Sequence, residues 1–438
     1  MQTTIILIGI ALVAAIAIVF FGIMGNGGSH SPITDLLGVE TLFNDMRRSA
    51  PDGRCVVYIS TVYEKLRISA EDAEIDRAAR YTTEHIKALC ASGRGRAARV
   101  DGNNYVAVIS CSEDAAERFC AGFMHDDKRL ADDIEASIGV YAADGGTDFK
   151  TAAGYAKKIS RQAKNRELKY LICDKKSLAA VIEKDEIEKN IESLIDNDEF
   201  HLMFQPLVDA HDERIIGCEA LIRLRSAHGS VLPDNFLDII QREKLNLKFD
   251  LYVYRKCCIW AKRHLEKNLR ITCNFSRSAL ASENLPRYLK CINDELGLKY
   301  SAVAIEVTED SVEPDFEQLR SNIAELKESG FGICLDDFGK AFTFIGDISR
   351  LRPDVIKIDK VMLYDAAADE QGRMVFENIV QLAKKMDATV LCEGVETEWQ
   401  RNMAKAAQCD VLQGYYFYRP MPEDEFDKLI ENTGGAAV

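Results

Sequence analysis

The sequence lacks the paired cysteines and histidines from which structural zinc sites are built. Its 13 cysteines occur without a CxxC pair, and its 7 histidines occur without an HxH or HExxH spacing. A zinc site, a histidine-rich metal hydrolase and a disulfide framework are therefore all disfavoured. This usage indicates reduced, mostly buried thiols in a cytosolic body.

Positive charge is scarce relative to negative charge. The chain has 55 Lys and Arg residues against 70 Asp and Glu residues, which gives a net charge of −15. Because nucleic-acid surfaces need clustered cations, we expect no nucleic-acid partner. An anionic ligand would need cations supplied at its binding site, and metal ions are the obvious source.

Charged side chains are absent before Asp35, and the run from Ile5 to Met24 is almost wholly apolar. A helix of twenty residues rises about 30 Å, which is enough to cross a bilayer core. We therefore predict one transmembrane helix over residues 3–25. The nearest basic residues, Arg47 and Arg48, follow this run and favour a cytoplasmic body at the inner membrane. A cleaved signal peptide is the alternative, although its apolar region is usually only about 7–15 residues long.

The rest of the chain divides into two bodies. Residues 32–178 mix short apolar runs with amphipathic helical stretches, which predicts an α+β domain. Residues 179–198 are a charged helical stretch that is either a solvated connector or a relay or dimer helix. Residues 199–432 alternate apolar runs with helical patterns, which is typical of a (β/α)8 TIM-like barrel. The gap of 55 residues between Glu219 and Asn274 is long enough for two such units.

Polar residues of useful chemistry end most of these apolar runs. In a barrel the C-terminal ends of the strands meet at one mouth, so these residues would become neighbours. Carboxylates gathered without counter-ions would raise one another's pKa values, and a set of oxygen ligands favours two Mg²⁺ or Mn²⁺ ions. The positions are Glu219, Asn274, Glu306, Asp336, Asp337, Lys357, Glu393 and Gln413.

Two divalent metals close together are a standard device for cleaving phosphoesters. Lys357 could hold or deprotonate a water molecule, and Arg223 could clamp a phosphate oxygen. The residues therefore predict phosphodiester hydrolysis. Taken singly, an acidic residue after an apolar run could instead cap a helix, and Lys357 could simply pair with Asp354 or Asp359.

Residues from about 190 to 430 resemble the EAL-domain family of cyclic di-GMP phosphodiesterases. The motifs that carry the resemblance are FQPLVD, CEALIRLR, NFS, EVTE, LDDFG, IKID, EGVE and LQGYYF, in this order. The resemblance implies hydrolysis of cyclic di-GMP to linear pGpG and a homodimer formed through this domain. The implied ligands of two Mg²⁺ or Mn²⁺ ions are Glu219, Asn274, Glu306, Asp336, Asp337 and Glu393.

The resemblance also implies roles for residues around the metals. Lys357 would be the water-activating base, Glu219 and Glu393 would also serve catalysis, Glu396 would assist, and Glu309 would anchor the loop after the aspartate pair. The implied substrate contacts are Gln205, Leu221, Arg223, Asp359 and Gln413.

One departure from the family concerns the loop after DDFG. The family usually reads TGYSS there, whereas this chain reads KAFTF over residues 340–344. Losing the second glycine removes backbone freedom from the loop. A catalytically silent receptor that binds cyclic di-GMP and signals to a partner is therefore the alternative function.

Residues 32–178 resemble a GGDEF domain, the diguanylate cyclase fold, in outline only. The signature loop reads DGNNY over residues 101–105, and Ile59 and Thr61 stand where the family has metal-binding aspartates. The RxxD inhibitory spacing is also missing, with Ser92 and Gly95 in those places. We therefore expect no cyclase activity, and a structural, dimerisation or nucleotide-sensing role for this degenerate domain.

Overall fold

The computed structural model describes residues 36–46, 53–62, 72–92, 95–101, 103–110, 113–125, 135–143, 146–226, 229–267, 269–307, 315–339 and 350–432. The chain divides into two compact units between Glu186 and Ile187. The transmembrane helix predicted at residues 3–25 lies outside the described residues. Within the described ranges, no helix combines the length and apolar character needed to span a membrane.

The first unit is an α+β fold. Among its described residues, six strands form one sheet in the spatial order β1-β3-β4-β2-β5-β6. The strands are β1 (Leu37–Gly38), β2 (Arg54–Val62), β3 (Arg96–Asp101), β4 (Asn104–Ser110), β5 (Glu135–Ala142) and β6 (Tyr170–Cys173). The helices are α1 (Val39–Met46), α2 (Asp72–Ser92), α3 (Glu113–His125), α4 (Phe149–Asn165) and α5 (Lys175–Asp196).

The sheet of the first unit is covered by helices on both faces. Strand β2 shows why, because successive side chains of a strand point to opposite faces. Val57 and Ile59 belong to one buried cluster, which includes residues of α2 and α3. Val56 and Tyr58 belong to the other, which includes residues of α1, α4 and α5.

The expectation of reduced thiols is met by eleven cysteines of the described part, ten of them buried. It is wrong for Cys55, which is disulfide-bonded. Cys55 lies on β2, which pairs with antiparallel strands on both sides. Residues that are far apart in the sequence therefore lie next to Cys55, so the spacing of cysteines along the chain could not predict this disulfide.

Helix α5 begins within the first unit and ends within the second. Leu178 and Val181 are buried in the core of the first unit. Ile187, Ile191 and Ile195 are four residues apart and are buried in the core of the second. Residues at this spacing share one face of a helix, so Ile187, Ile191 and Ile195 form an apolar stripe that packs into the core of the second unit. The role of the stretch predicted at 179–198 as a connector or as a relay or dimer helix stays a prediction.

The second unit contains ten strands among its described residues. They are β7 (Phe200–Asp209), β8 (Ile215–Ser226), β9 (Gly229–Val231), β10 (Arg270–Phe275), β11 (Val303–Val307), β12 (Ile333–Phe338), β13 (Val355–Ile358), β14 (Thr389–Cys392), β15 (Val411–Leu412) and β16 (Met421–Pro422). The helices are α6 (Leu237–Arg242), α7 (Asn246–Arg263), α8 (Arg277–Leu280), α9 (Leu285–Leu296), α10 (Phe316–Ser329), α11 (Lys360–Ala368), α12 (Glu370–Lys385), α13 (Glu398–Ala406) and α14 (Glu423–Asn432). Short 3-10 turns cover Pro233–Asn235, Leu265–Lys267 and Tyr300–Ala302.

Eight of these strands close into a barrel, which confirms the predicted TIM-like fold. The order is β7-β8-β10-β11-β12-β13-β14-β15, and β15 returns to β7. Strand β7 runs antiparallel to both of its barrel neighbours, whereas the remaining neighbours are parallel. The predicted alternation of strand and helix is therefore wrong between β7 and β8, because a short hairpin joins these two strands. The long gap between Glu219 and Asn274 holds β9, α6 and α7 rather than a further barrel strand.

Aspartates placed just before two barrel strands fix the strand register. Asp354 Oδ2 accepts a hydrogen bond from the backbone N–H of Ile333, at 2.8 Å, and its other oxygen accepts one from Lys327, at 2.6 Å. Asp410 accepts a hydrogen bond from the backbone N–H of Val390, also at 2.8 Å, and pairs with a lysine of α12. Because register decides which side chains reach the mouth, these braces help to position the functional site.

We predict that Asp354→Ala lowers the free energy of unfolding by about 1–3 kcal/mol, because it removes two hydrogen bonds to a charged acceptor. Urea unfolding followed by circular dichroism measures the change. Asp365→Ala, an exposed position on α11, is the control and should shift stability by less than about 0.5 kcal/mol. Equal stabilities of the two variants would contradict the bracing role.

Candidate active site

The barrel brings the predicted polar residues together at the C-terminal ends of its strands. Glu219 of β8 lies opposite Gln205 of β7, and Asn274 of β10 lies opposite Glu306 of β11. Lys357 belongs to β13 on the other side of the mouth. Inward and outward side chains alternate along barrel strands, so this register directs the set into one interior space.

The two aspartates at the end of β12 are placed by a break in the strand. The register shifts between Leu335 and Phe338, and Asp337 has a positive φ of 52°. Consecutive residues of a regular strand point to opposite faces, and a bulge re-aims one of them. Oxygens of Asp336 and Asp337 consequently lie within 4.8 Å of each other and of Glu393.

Lys357 is the shared counter-ion of four carboxylates. Its ammonium nitrogen lies 2.7 Å from Glu393, 3.1 Å from Asp336 and 3.4 Å from Glu219, and it donates a hydrogen bond to Glu306. The lysine is only 1% exposed. Sequence reasoning predicted a role for Lys357 at the water molecule but did not predict this central pairing.

Two amide side chains hold Glu219 from opposite sides. Asn274 Nδ2 donates to Oε1 of Glu219 at 3.1 Å, and Gln413 Nε2 donates to Oε2 at 2.8 Å. Burial raises the pKa of Glu219, but Lys357 and these two donors outweigh it and leave the pKa below its usual range. Glu219 is therefore an oriented, ionised carboxylate.

The pKa values of two other acids of the cluster are raised instead. Burial raises the pKa of Asp336 well above its usual range, and the neighbouring charges of Glu393, Glu219 and Asp337 add to the effect. Burial also raises the pKa of Glu393; Lys357 lowers it in part, and the charge of Glu219 again raises it. Lys357 is the cation that pairs with these acids among the described residues, so the cluster favours keeping protons on Asp336 and Glu393.

The donor set fits two divalent metal ions. Five carboxylates and one ammonium leave four negative charges when all are ionised, and two divalent cations carry four positive charges. The acids also form two groups that share Glu393, namely Glu219 with Glu306, and Asp336 with Asp337. Such oxygen ligands suit Mg²⁺ or Mn²⁺.

Buried oxygens without hydrogen-bond partners also favour metal ions in this cluster. Glu306 Oε2 and Gln413 Oε1 are buried and have no hydrogen-bond partner among the described residues. Asp336 Oδ1 also lacks a hydrogen bond of good geometry, although it lies 3.1 Å from the ammonium of Lys357. Buried acceptors without partners are costly, and metal coordination would satisfy the carboxylate oxygens.

The predicted substrate contacts are divided between the mouth and its surroundings. Gln205 donates to the backbone oxygen of Tyr418 at 3.3 Å, and Leu221 is half-buried on β8. Arg223 is half-buried and interacts electrostatically with Glu219. Asp359 instead caps α11, where its side chain accepts a hydrogen bond from the N–H of Val361 at 2.7 Å.

Other predicted residues lie away from the acidic cluster or outside the described residues. Glu396 is exposed and its side chain bonds with Tyr364 of α11. Glu309 and the KAFTF loop at 340–344 lie outside the described residues, so their expected roles stay predictions.

Sequence reasoning missed two residues that affect the pKa of Arg223. Tyr415 and Asp234 both interact electrostatically with its guanidinium group. Tyr415 stands in the LQGYYF run, two residues after Gln413, so this run contained an unused signal. Asp234 follows a short strand in a polar turn, which carries no comparable signal.

Comparisons with known proteins identify the family of the second unit. The family model described as EAL domain matches residues 188–420. The chain belongs to the EAL-domain family. Cyclic di-GMP phosphodiesterase NbdA of Pseudomonas aeruginosa is 27% identical over 249 residues, which cover 56% of this chain and 32% of NbdA. The chain therefore spans about a third of the length of that curated relative.

Solved structures also resemble this chain in fold. The PaMucR phosphodiesterase in its c-di-GMP complex is 26% identical, with a TM-score of 0.51 over 55% of this chain and 99% of that chain. The LapD S helix-GGDEF-EAL structure of Vibrio cholerae, bound to c-di-GMP, is 16% identical. It covers 88% of this chain and 95% of that chain with a TM-score of 0.51, which is a likeness of fold.

We predict that the contribution of Asp336 to the stability of the metal-free protein is lost as pH rises from about 4 towards 7. Folding raises the pKa of Asp336 above its ordinary value of 3.8. The group therefore contributes its full stabilisation when the pH is below 3.8, and this contribution is lost as the pH rises through the higher pKa of the folded state. Urea unfolding in EDTA at several pH values measures the loss, which should exceed about 1 kcal/mol. Millimolar Mg²⁺ or Mn²⁺ should abolish it.

Asp336→Asn is the matched variant for this measurement. It removes the titrating group at nearly constant shape, so its metal-free stability should vary less with pH and exceed that of the parent at pH 7. A pH profile of stability that is the same as that of the parent would show that the surroundings of Asp336 do not raise its pKa.

Proposed function

We propose that this chain hydrolyses cyclic di-GMP to linear pGpG with the help of two divalent metal ions. The observation that carries the proposal is a cluster of five carboxylates at the mouth of an EAL-family barrel, four of which pair with Lys357. The printed names of NbdA and PaMucR, a phosphodiesterase of cyclic di-GMP and one complexed with it, support the choice of substrate.

The chain's own residues divide the work in this proposal. Glu219, Asn274, Glu306, Asp336, Asp337 and Glu393 would hold the two ions, which would activate water and stabilise charge on the phosphoryl group. Arg223 is half-buried on β8, four residues after Glu219, and its guanidinium would bind a phosphate of the substrate. Gln413 keeps Glu219 oriented through its 2.8 Å hydrogen bond.

Lys357 is suited to water activation only when its carboxylate partners are otherwise engaged. Burial lowers its pKa, but Glu219 and Glu393 raise it by more, so the free protein holds an ammonium ion there. When the carboxylates bind metal instead, burial dominates and lowers the pKa of Lys357. The amine can then accept a proton from an attacking water molecule.

A silent receptor for cyclic di-GMP is the second candidate function. The observation that favours it is the KAFTF sequence at residues 340–344, where the family usually has TGYSS. Against it stands Lys357, because a receptor has no need of a residue that activates water. A receptor would pass its signal to a partner that the sequence does not name.

The first unit is proposed to be a degenerate GGDEF-like regulatory domain without cyclase activity. The α+β sheet and the fold likeness to LapD over 88% of this chain support this assignment. Ile59 is fully buried in the core, and Thr61 donates its hydroxyl to the backbone oxygen of Asn103 at 2.8 Å. Neither side chain can replace the metal-binding aspartates of a cyclase.

Membrane attachment and dimerisation complete the proposal. The apolar run from Ile5 to Met24 supports a single anchor at the inner membrane, with the body in the cytoplasm. A homodimer through the EAL domain is supported by exposed apolar side chains on α11 and α12. Val361, Met374 and Val375 are 41%, 57% and 47% exposed.

We predict that the full chain converts cyclic di-GMP to pGpG in the presence of Mn²⁺ or Mg²⁺. Glu219→Ala should lower the rate more than about 100-fold, because it removes a carboxylate held by Lys357 and two amides. Chromatography of the products measures both rates. Glu266→Ala, at an exposed position in the turn Leu265–Lys267, is the control and should retain the parent rate.

Binding without turnover in both metals would contradict the enzyme and select the receptor. In that case, rebuilding residues 340–344 as TGYSS should restore turnover if the altered loop is the cause. Absence of both binding and turnover would exclude both functions.

We predict a dimer of twice 49.0 kDa for the full chain in detergent. Met374→Glu should shift the population towards monomer, because it places a charge within the exposed apolar face of α12. Light scattering coupled to gel filtration measures the protein mass. Ile259→Glu, on α7, is the control, and a dimer unaffected by either change would place the interface elsewhere.

A further inference from the structure

Asp250 is a buried acid of α7 that holds the chain just after β10. It is only 7% exposed. Its Oδ2 atom accepts two hydrogen bonds from Ser276, one from the backbone N–H at 2.9 Å and one from the hydroxyl at 2.7 Å. Hydrogen bonds to a carboxylate are stronger than those between neutral groups. Asp250 therefore fixes both the backbone and the side chain of Ser276.

Ser276 follows the strand that presents Asn274 to the mouth of the barrel. Strand β10 ends at Phe275, and Ser276 then caps α8, where its hydroxyl accepts a hydrogen bond from the N–H of Ala279 at 3.2 Å. Phe275 is fully buried and packs edge-on against Tyr254 of α7, with 5.7 Å between the ring centroids. Helix α7 therefore holds the end of β10 by an apolar contact and by the bonds of Asp250.

Two amide side chains hold the segment that comes next. Asn246 of α7 donates to the hydroxyl of Ser278 at 2.7 Å. Asn322 of α10 donates to the backbone oxygens of Leu280 and Ser282, at 2.7 and 3.0 Å. These bonds do not involve Asp250. A change at Asp250 should therefore loosen the end of β10 without detaching the segment that follows it.

The position of Asn274 decides which of its atoms is offered to a metal ion. Its Nδ2 atom donates to Oε1 of Glu219 at 3.1 Å. An amide nitrogen is a donor and does not bind a cation, whereas the amide oxygen is a ligand for Mg²⁺ and Mn²⁺. A displaced or rotated Asn274 would lose both the bond to Glu219 and the correct aim of its oxygen.

We propose that Asp250 is a positioning residue of the metal site, which fixes Ser276 and thereby the side chain of Asn274. The inference rests on the two-metal site of the proposed function. Asp250 acts through Asn274, on the affinity for the ion that Asn274 and Glu219 would share.

The experiment is a titration of the metal-free full chain with Mn²⁺ alone, followed by calorimetry. Removal of a group that orients a metal ligand usually lowers metal affinity about 10- to 100-fold. Asp250→Ala should therefore raise the dissociation constant of Mn²⁺ at least about tenfold. Asp250→Asn keeps the shape of the side chain and a neutral acceptor, so it should recover most of this loss.

A second background separates positioning from a general loss of packing. In an Asn274→Ala chain, Asp250→Ala should change the dissociation constant less than about twofold, because the residue through which Asp250 acts is absent. Effects that do not pass through Asn274 would add in the double variant. Ser276→Ala removes the hydroxyl bond from the other side and provides the same test if Asp250→Ala does not fold.

Lys248→Ala is the matched control on the same helix. Lys248 lies two residues before Asp250 and pairs with Glu192 and Asp196 of α5, at 3.0 and 2.8 Å. Its removal breaks contacts of α7 but should change Mn²⁺ affinity less than about twofold. Urea unfolding shows that each variant is folded at the temperature of the titration.

The outcomes separate this inference from the proposed function. Equal Mn²⁺ affinity of the parent and Asp250→Ala, additive losses in the double variant, or an equal loss in Lys248→Ala overturns the positioning role and leaves the metal site in place. A parent chain that binds no Mn²⁺ overturns the two-metal site and the positioning role together.

Discussion

The whole site depends on one buried lysine among five carboxylates. Lys357 lies within 3.4 Å of Glu219, Asp336 and Glu393 and also bonds to Glu306, yet one positive charge cannot balance five negative ones. The structure carries the signs of this deficit, because the pKa values of Asp336 and Glu393 are raised while that of Glu219 is lowered. Divalent metals would complete the balance.

The fold provides this concentration of charge by holding each carboxylate on a different strand end. The hydrogen bonds that Asp354 and Asp410 accept from backbone N–H groups fix the strand register at the opposite end of the barrel. The irregularity between Leu335 and Phe338 then turns two consecutive aspartates towards Glu393. A regular strand would direct only one of them inward, so the paired acids of LDDFG require the break in β12.

Much of this site could be predicted from sequence, because each ligand follows an apolar run and parallel barrel strands end at one mouth. The antiparallel direction of β7 could not be predicted, since its apolar pattern resembles that of the barrel strands that run parallel to one another. The cluster around Lys357 also escaped prediction, because it depends on distances between strands rather than on spacing along the chain. The sequence also did not indicate that Asp359 of the IKID motif caps α11, and its role as a substrate contact stays a prediction.

The central claim is that the acidic cluster is built for two divalent ions, and a titration of the metal-free chain with Mn²⁺ tests it most directly. Calorimetry combined with electron paramagnetic resonance counts the bound ions and reports whether they are close together. The account predicts two ions per chain, magnetically coupled, at a site that Glu393→Gln weakens for both. A single ion, or two ions whose binding ignores Glu393, would contradict it.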